Sequence, residues 1–148
     1  MRRQRCAAWA DHAGARTRSR CSITSPEVTS SAMPLQAQGI GVDVFSVTSW
    51  SELARQGQAC EAAELAGAAS VDTPFITQQL ALGAGPIIAA TDYVRAVPES
   101  IRAFVPAGRS YTTLGTDGFG RSDTRSQLRQ FFKVDAASIA AVAMQRLG

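Results

Sequence analysis

Apolar residues gather in three short runs along the chain, and a stretch with helical character follows each of them. The runs are GVDVFSVT at 41–48, PIIAAT at 86–91 and SYTTL at 110–114. All three are short, contain β-branched side chains and are bounded by glycine or polar residues, which predicts strands. Strands that alternate with helices predict an open α/β sheet that is covered on both faces.

Capping residues predict where the first two helices begin. The stretch SELARQ at 51–56 predicts a serine-capped helical turn, which the Ala- and Glu-rich stretch at 58–69 could extend. After the second run, Asp92 is expected to cap a helix that Pro98 kinks or divides in two. The apolar face of that helix is expected to include Val94, Ile101 and Phe104.

Two further helices are predicted near the end of the chain. Ser122 is expected to cap a helix over 123–132, with the charge of Asp123 in its first turn. Asp135 is expected to cap a last helix that runs through Leu147. The inward face of that last helix is expected to contain Ile139, Val142 and either Met144 or Leu147.

The first 33 residues have no apolar period of 2 or 3.6 residues, so little stable structure is expected there. This leader holds six arginines against two acidic residues, a balance of +4, whereas residues 34–148 carry a balance of −1. A basic leader on an acidic domain argues against nucleic-acid binding by the folded part. An organellar transit peptide is an alternative interpretation of the leader. The sequence contains no apolar run of 18 residues, so no membrane-spanning helix is predicted.

Cysteine and histidine usage offers little for chemistry. Cys6, Cys21 and Cys60 are an odd number at wide spacing, which predicts neither a disulfide framework nor a metal knuckle. A reducing cytoplasm is the expected location. His12 is the single histidine and lies in the leader, so a catalytic role for it is not expected.

The segment LGTDGFGRSD at 114–123 is the most informative stretch. Its glycines permit close backbone approach, and a helix start after them would present free amides to an anion. The segment therefore predicts either a small-anion pocket or a tight strand-to-helix turn. It matches neither the GxGxxG fingerprint nor a phosphate-binding P-loop.

Three segments in the same order resemble the C-terminal domain of homodimeric pyruvate dehydrogenases. They are VDVFSVTSW at 42–50, AATDY at 89–93, and LGTDGFGRSD at 114–123 with the residues that follow it, Leu128, Arg129, Phe132, Lys133 and Val134. The FGRS of 119–122 also resembles a turn of transketolases. The resemblance implies a three-layer α/β/α sandwich on a mixed, mostly parallel five-stranded sheet with an antiparallel first strand at one edge.

The resemblance also implies a cofactor that this chain would not hold by itself. In that family, thiamine diphosphate and magnesium are bound by a GDG-to-asparagine segment in an earlier domain, and a glutamate of the middle domain meets the coenzyme. Neither segment is found in the sequence. We therefore expect no cofactor-binding, metal-binding or catalytic residue here. The implied partners are the remaining domains, the homodimer mate and a lipoyl acetyltransferase.

The leader departs from the family pattern. A strand and a helix should precede Leu35, yet residues 1–34 show no such pattern. We therefore expect a non-homologous leader at 1–34, a transketolase C-terminal-like domain at 35–148, and the loss of the first strand-helix unit. A truncation or a frame shift upstream would explain this.

The predicted function is that of a structural, dimer-supporting fragment of an acetyl-transferring pyruvate dehydrogenase, inactive alone. The residues expected to matter lie at the ends of two predicted strands, where open α/β sheets place their contacts. They are Asp92, Tyr93, Asp117, Phe119, Arg121, Ser122 and Asp123. The alternatives are a free-standing module that binds a small anion at the Gly-rich turn, and nucleic-acid binding through the leader.

Overall fold

A five-stranded sheet organises the residues that the computed structural model describes, which are 2–5, 20–24, 32 and 34–148. The strands are β1 at Arg2–Arg5, β2 at Arg20–Thr24, β3 at Gly41–Ser46, β4 at Ile87–Ala90 and β5 at Tyr111–Leu114. Their spatial order is β1-β3-β2-β4-β5. Strand β1 runs antiparallel to β3 at one edge, and the other neighbouring strands are parallel.

Strands β3, β4 and β5 confirm the three predicted strands, each slightly shorter than its apolar run. Strands β1 and β2 contradict the expectation of little stable structure before residue 34, and the expectation that the first strand is missing. Apolar periodicity could not show β2, because this strand obtains its backbone partners from β3 and β4 on either side. The other leader residues, including His12, lie outside the described residues.

One face of the sheet packs against the last helix, α5 at Ala136–Leu147. Ile88 and Ala90 of β4 point to this side and belong to the apolar cluster that includes the buried residues of α5. Asp135 caps α5 as predicted, since its carboxylate accepts from the Ser138 amide. Of the two alternatives for the last inward residue, Leu147 is confirmed, since Met144 is 37% exposed. The buried members of this cluster are Ala32, Leu35, Ile40, Val42, Val44, Ile88, Ala90, Ile139, Ala140 and Ala143, with Val142 and Leu147 partly buried against them.

The opposite face of the sheet carries the larger side chains. Ile87 and Ala89, which alternate with the residues above, point to this side. They pack against helix α1 at Trp50–Leu65, helix α2 at Phe75–Ala81 and a 3-10 turn at Arg102–Phe104. The buried members of this cluster are Phe45, Leu53, Ala54, Ile76, Leu80, Ile87, Ala89, Ile101, Phe104 and Tyr111.

Helix α1 begins with the predicted kind of cap but at an earlier residue. The Ser49 hydroxyl, before the predicted turn, accepts from the Glu52 amide at 3.2 Å. Further along the helix, Gly57 allows the Phe104 ring to approach closely. A Cβ at this glycine would lie 2.5 Å from the ring, so only glycine fits here without rearrangement.

The segment after β4 differs from the predicted Asp92-capped helix. The helix found there, α3 at Ala96–Glu99, is a single turn preceded by Arg95, which makes no side-chain cap. Val94 is 48% exposed, so its predicted inward position is wrong, whereas Ile101 and Phe104 are buried as predicted. Asp92 cannot cap α3 because its carboxylate binds an arginine of another helix, described below.

A polar network joins α3 to strand β5. The Tyr111 hydroxyl donates to the Pro98 carbonyl oxygen at 2.6 Å, and Arg102 pairs with Glu99 at 2.5 Å. The Arg102 guanidinium also lies 5.0 Å from the centre of the Tyr111 ring. The Thr113 hydroxyl donates to Glu99. Burial raises the pKa of Tyr111, and the hydrogen bond from Arg102 lowers the pKa of Glu99 to about 2.

Candidate functional site

The loops that follow β4 and β5 meet at the carboxyl edge of the sheet. The Thr116 amide donates to the Tyr93 carbonyl oxygen at 2.9 Å, and the Thr116 hydroxyl donates to the Asp92 carbonyl oxygen at 2.9 Å. Gly115 makes this approach possible, because a Cβ there would lie 2.6 Å from the Tyr93 carbonyl oxygen. The two strand ends that the sequence predicted as a site are therefore adjacent.

An exposed ion pair fixes the start of the Gly-rich loop. The Arg95 guanidinium contacts the Asp117 carboxylate at 2.5 Å, and the Arg95 backbone amide donates to the same carboxylate at 2.8 Å. The side-chain hydrogen bond from Arg95 is the main cause that lowers the pKa of Asp117. Asp117, a predicted site residue, thus acts as a link between the two loops.

A second ion pair connects the loop after β4 to helix α4 at Arg125–Phe131. The Asp92 carboxylate accepts from Arg129 Nη2 at 2.7 Å and from Arg129 Nε at 3.2 Å. The Arg129 side chain is only 14% exposed and the Asp92 side chain is 49% exposed, so the arginine side of this two-point pair is buried and the carboxylate side meets solvent. Sequence reasoning missed Arg95 and Arg129 as site residues. Arg129 lies within the segment that carried the family resemblance, which was the available signal.

Aromatic rings are exposed around the Gly-rich loop. Phe119 is 97% exposed and follows Gly118, whose positive φ of 100° suits glycine. The Arg121 guanidinium lies 4.1 Å from the centre of the Phe131 ring, a cation–π distance. Phe131 in turn meets the edge of Phe132, with ring centres 5.0 Å apart. Exposed aromatic rings and arginines thus share one surface.

The predicted cap at Ser122 is wrong. Helix α4 begins at Arg125, and the Thr124 hydroxyl accepts from the Gln127 amide at 3.4 Å. Asp123 accepts from the Thr124 amide at 2.7 Å, and Ser122 is exposed outside the helix. The small-anion alternative assumed helical amides directly after the glycines, and the helix starts too late to supply them there.

A groove of about 450 Å³ lies between the Gly-rich loop and α4. Four of the seven predicted site residues line it, namely Asp92, Phe119, Arg121 and Asp123. Tyr93, Asp117 and Ser122 do not line it. Two arginines that sequence reasoning did not select, Arg125 and Arg129, line it as well. The groove is therefore lined by aromatic, acidic and basic side chains. Within it, the Asp92–Arg129 ion pair joins the loop after β4 to α4.

No group of His, Cys, Asp and Glu suited to a metal ion occurs within the described part of the chain. The helices described there are also too short or too polar to cross a membrane.

The family model of the transketolase-like TK C-terminal domain matches residues 25–135. The chain belongs to this family. The match confirms the resemblance found in the sequence, and it begins within the leader, ten residues before the predicted boundary at 35. An α/β architecture with a mostly parallel sheet agrees with the membership.

Curated relatives of this transketolase-like C-terminal domain are pyruvate dehydrogenase E1 components. The Mycolicibacterium smegmatis protein is 46% identical over 127 residues, covering 84% of this chain and 14% of the relative. The Mycobacterium tuberculosis protein is 42% identical, covering 84% and 13%. The Escherichia coli K12 protein is 44% identical over 110 residues, covering 74% and 12%. The chain thus spans about one eighth of these relatives' length.

Proposed function

We propose that this chain serves as the C-terminal structural domain of a homodimeric, thiamine diphosphate-dependent pyruvate dehydrogenase, and that it is inactive alone. The observation that carries the proposal is the 42–46% identity to pyruvate dehydrogenase E1 components over most of this chain. The domain would support the dimer and the neighbouring active-site domains. A three-layer α/β/α sandwich is part of the proposal, supported by apolar clusters on both faces of the sheet.

The chemistry of the carboxyl-edge loops supports a structural role. Asp92 and Asp117, the carboxylates expected to matter, each bind an arginine of a neighbouring segment and so connect loops to one another. These side chains are arranged to hold backbone segments together, which is what a supporting domain requires.

The parent enzyme would supply the reaction. Thiamine diphosphate and magnesium, held by earlier domains, would supply the chemistry of pyruvate decarboxylation, and the lipoyl disulfide of an acetyltransferase would be reduced as it accepts the acetyl group. The cytoplasm would be the place of action. This chain would contribute the position of its strand-end loops and the stability of the assembly.

A domain exchange tests the proposal. In the Mycolicibacterium smegmatis enzyme, the segment that matches this chain is replaced by the matching residues of this chain. We expect the chimera to sediment as a dimer and to decarboxylate pyruvate, while the free chain shows no heat of binding with thiamine diphosphate and magnesium. A folded chimera without dimer and activity, or micromolar cofactor binding by the free chain, would contradict the proposal.

A further inference from the structure

Three large side chains are exposed on the carboxyl-edge loops and on α4. Tyr93 is 73% exposed, Phe119 97% and Phe131 55%. Arg121 and Arg125 line the same groove as Phe119, and the Arg121 guanidinium lies over the Phe131 ring. We call these five residues the strand-end patch. Scattered exposed apolar residues are normal, but several in one place on charged loops indicate a contact surface.

The backbone beneath the strand-end patch is held in place by the contacts already described. Arg95–Asp117 fixes the start of the Gly-rich loop, Asp92–Arg129 fixes α4, and the Thr116 amide fixes the loop that carries Tyr93. These contacts use the polar groups of the loops and leave the aromatic rings outward. A surface of this kind is organised before it meets a partner, which reduces the entropy cost of binding.

The charges of the strand-end patch indicate the chemistry of its partner. Within the part of the chain that the structure describes, neither Arg121 nor Arg125 forms an ion pair. The carboxylates nearest in the groove are already engaged, because Asp92 binds Arg129 and Asp123 accepts a backbone amide. A complementary surface would therefore be apolar at its centre, with carboxylates placed to meet the two arginines.

We propose that the strand-end patch is the surface on which this domain docks against the remaining domains of its parent enzyme. This inference rests on the proposed function. The matched relatives are about eight times longer than the matched segment, so most of a parent chain lies outside it and must contact it somewhere. Both sheet faces are covered by this chain's own helices, and among the described residues Phe119 of the strand-end patch is the most exposed large apolar side chain.

The test compares variants in the chimera with Mycolicibacterium smegmatis domains described above. Phe119→Asp places a charge in the strand-end patch, and Arg125→Glu reverses a charge in it. Leu82→Asp is the matched control, since Leu82 is 58% exposed but precedes β4 at the opposite edge of the sheet. The readouts are the rate of tryptic release of the domain and the hydrogen-exchange protection of amides 115–125.

We expect those amides to be protected at least about tenfold more in the chimera than in the free chain, and Phe119→Asp to abolish the gain and speed release about tenfold. Arg125→Glu should act in the same direction, and Leu82→Asp should change neither. Urea unfolding of the free Phe119→Asp chain serves as the folding control, and it should match the parent because the ring is exposed.

The outcomes separate the two proposals. An inactive, monomeric parent chimera defeats the proposed function. An active chimera in which Phe119→Asp behaves like Leu82→Asp overturns the docking surface alone. Concentration-dependent dimerisation of the free chain that Phe119→Asp abolishes, with no effect of that variant in the chimera, identifies a second copy as the occupant and also overturns it.

Discussion

Phe104 and Phe119 are the same residue type in two regions that use it differently. Phe104 is 9% exposed and packs against Gly57 in the cluster beneath α1, whereas Phe119 is 97% exposed on the Gly-rich loop. Burial of such a ring stabilises a fold by about 1.5–3 kcal/mol. Burial of the Phe104 ring therefore stabilises the fold of this chain. The exposed Phe119 ring can stabilise only a contact with a surface outside this chain.

The largest expected effect contrasts these two rings directly. Phe104→Ala should lower the free energy of unfolding by about 3–5 kcal/mol, because it leaves a cavity between α1 and α2. Phe119→Ala should change it by less than about 0.5 kcal/mol in the free chain. Urea unfolding followed by circular dichroism measures both. Similar losses in the two variants would mean that the contrast is incorrect.

Alanine substitutions at two glycines extend this comparison, one at the contact between Gly57 and the Phe104 ring and one on the exposed loop. Gly57→Ala should destabilise by about 1–3 kcal/mol despite the better helix propensity of alanine, because the new methyl group overlaps the Phe104 ring. The control is Gly120→Ala on the exposed loop, where an added Cβ would meet no atom beyond the adjacent residues within 4 Å, and it should be nearly neutral. Thermal unfolding of both variants provides the comparison. A neutral Gly57→Ala would show that α1 can move away at little cost.

The cap of α4 gives an intermediate effect within the loop region. Thr124→Ala should cost about 0.5–2 kcal/mol, because the Gln127 amide loses its acceptor. Ser122→Ala should stay within about 0.5 kcal/mol, since Ser122 lies outside the helix. Chemical denaturation of the two variants decides between them, and the reverse order would restore the sequence-based assignment of Ser122.

The smallest expected effect concerns acid stability of the network at β5. Because Glu99 has a pKa of about 2 in the folded chain against an ordinary 4.5, the folded form binds this proton less readily than the unfolded form. Its contribution is present above about pH 4.5 and is lost as the pH falls toward 2. The Glu99 side chain is 35% exposed, so solvent screening keeps the contribution small.

Melting temperatures of the parent and Glu99→Gln at pH 6 and pH 3 measure this contribution. The parent should melt higher at pH 6, and the gap should narrow at pH 3. Exposed Glu64→Gln is the control and should show no such pattern. If the difference in melting temperature between the parent and Glu99→Gln is the same at both pH values, the stabilisation comes from packing and not from the charge of Glu99.

Local chemistry made part of this fold predictable. The run PIIAAT with a preceding glycine is sufficient to indicate β4, and Asp135 before an Ala-rich stretch is sufficient to indicate the cap of α5. Ser122 failed because three adjacent residues could all cap. The spacing of Thr124 and Gln127, a capping-box pattern, was the signal that could have separated them.

Long-range pairing was beyond the reach of the sequence. Asp92 and Arg129 are 37 positions apart, and Arg95 and Asp117 are 22 apart. Nothing in their local sequence specifies the partner, because the pairing arises only when β4 and β5 become neighbours. For the same reason Asp92 was expected to serve as a cap, which is the nearest use for a carboxylate after a strand. Strand β2 was missed because its stability comes from two neighbours.

The absorbance of Tyr111, whose hydroxyl is buried, reports whether the domain is folded around β5. The chain has two tyrosines, and Tyr93 meets solvent in the folded state while Tyr111 is 8% exposed and hydrogen-bonded to Pro98. Phenolate absorbs at longer wavelength than phenol, and the raised pKa of Tyr111 delays its ionisation while β5 stays packed. In alkali, the tyrosinate absorbance of Tyr111 therefore follows the opening of the sheet edge, without any added dye.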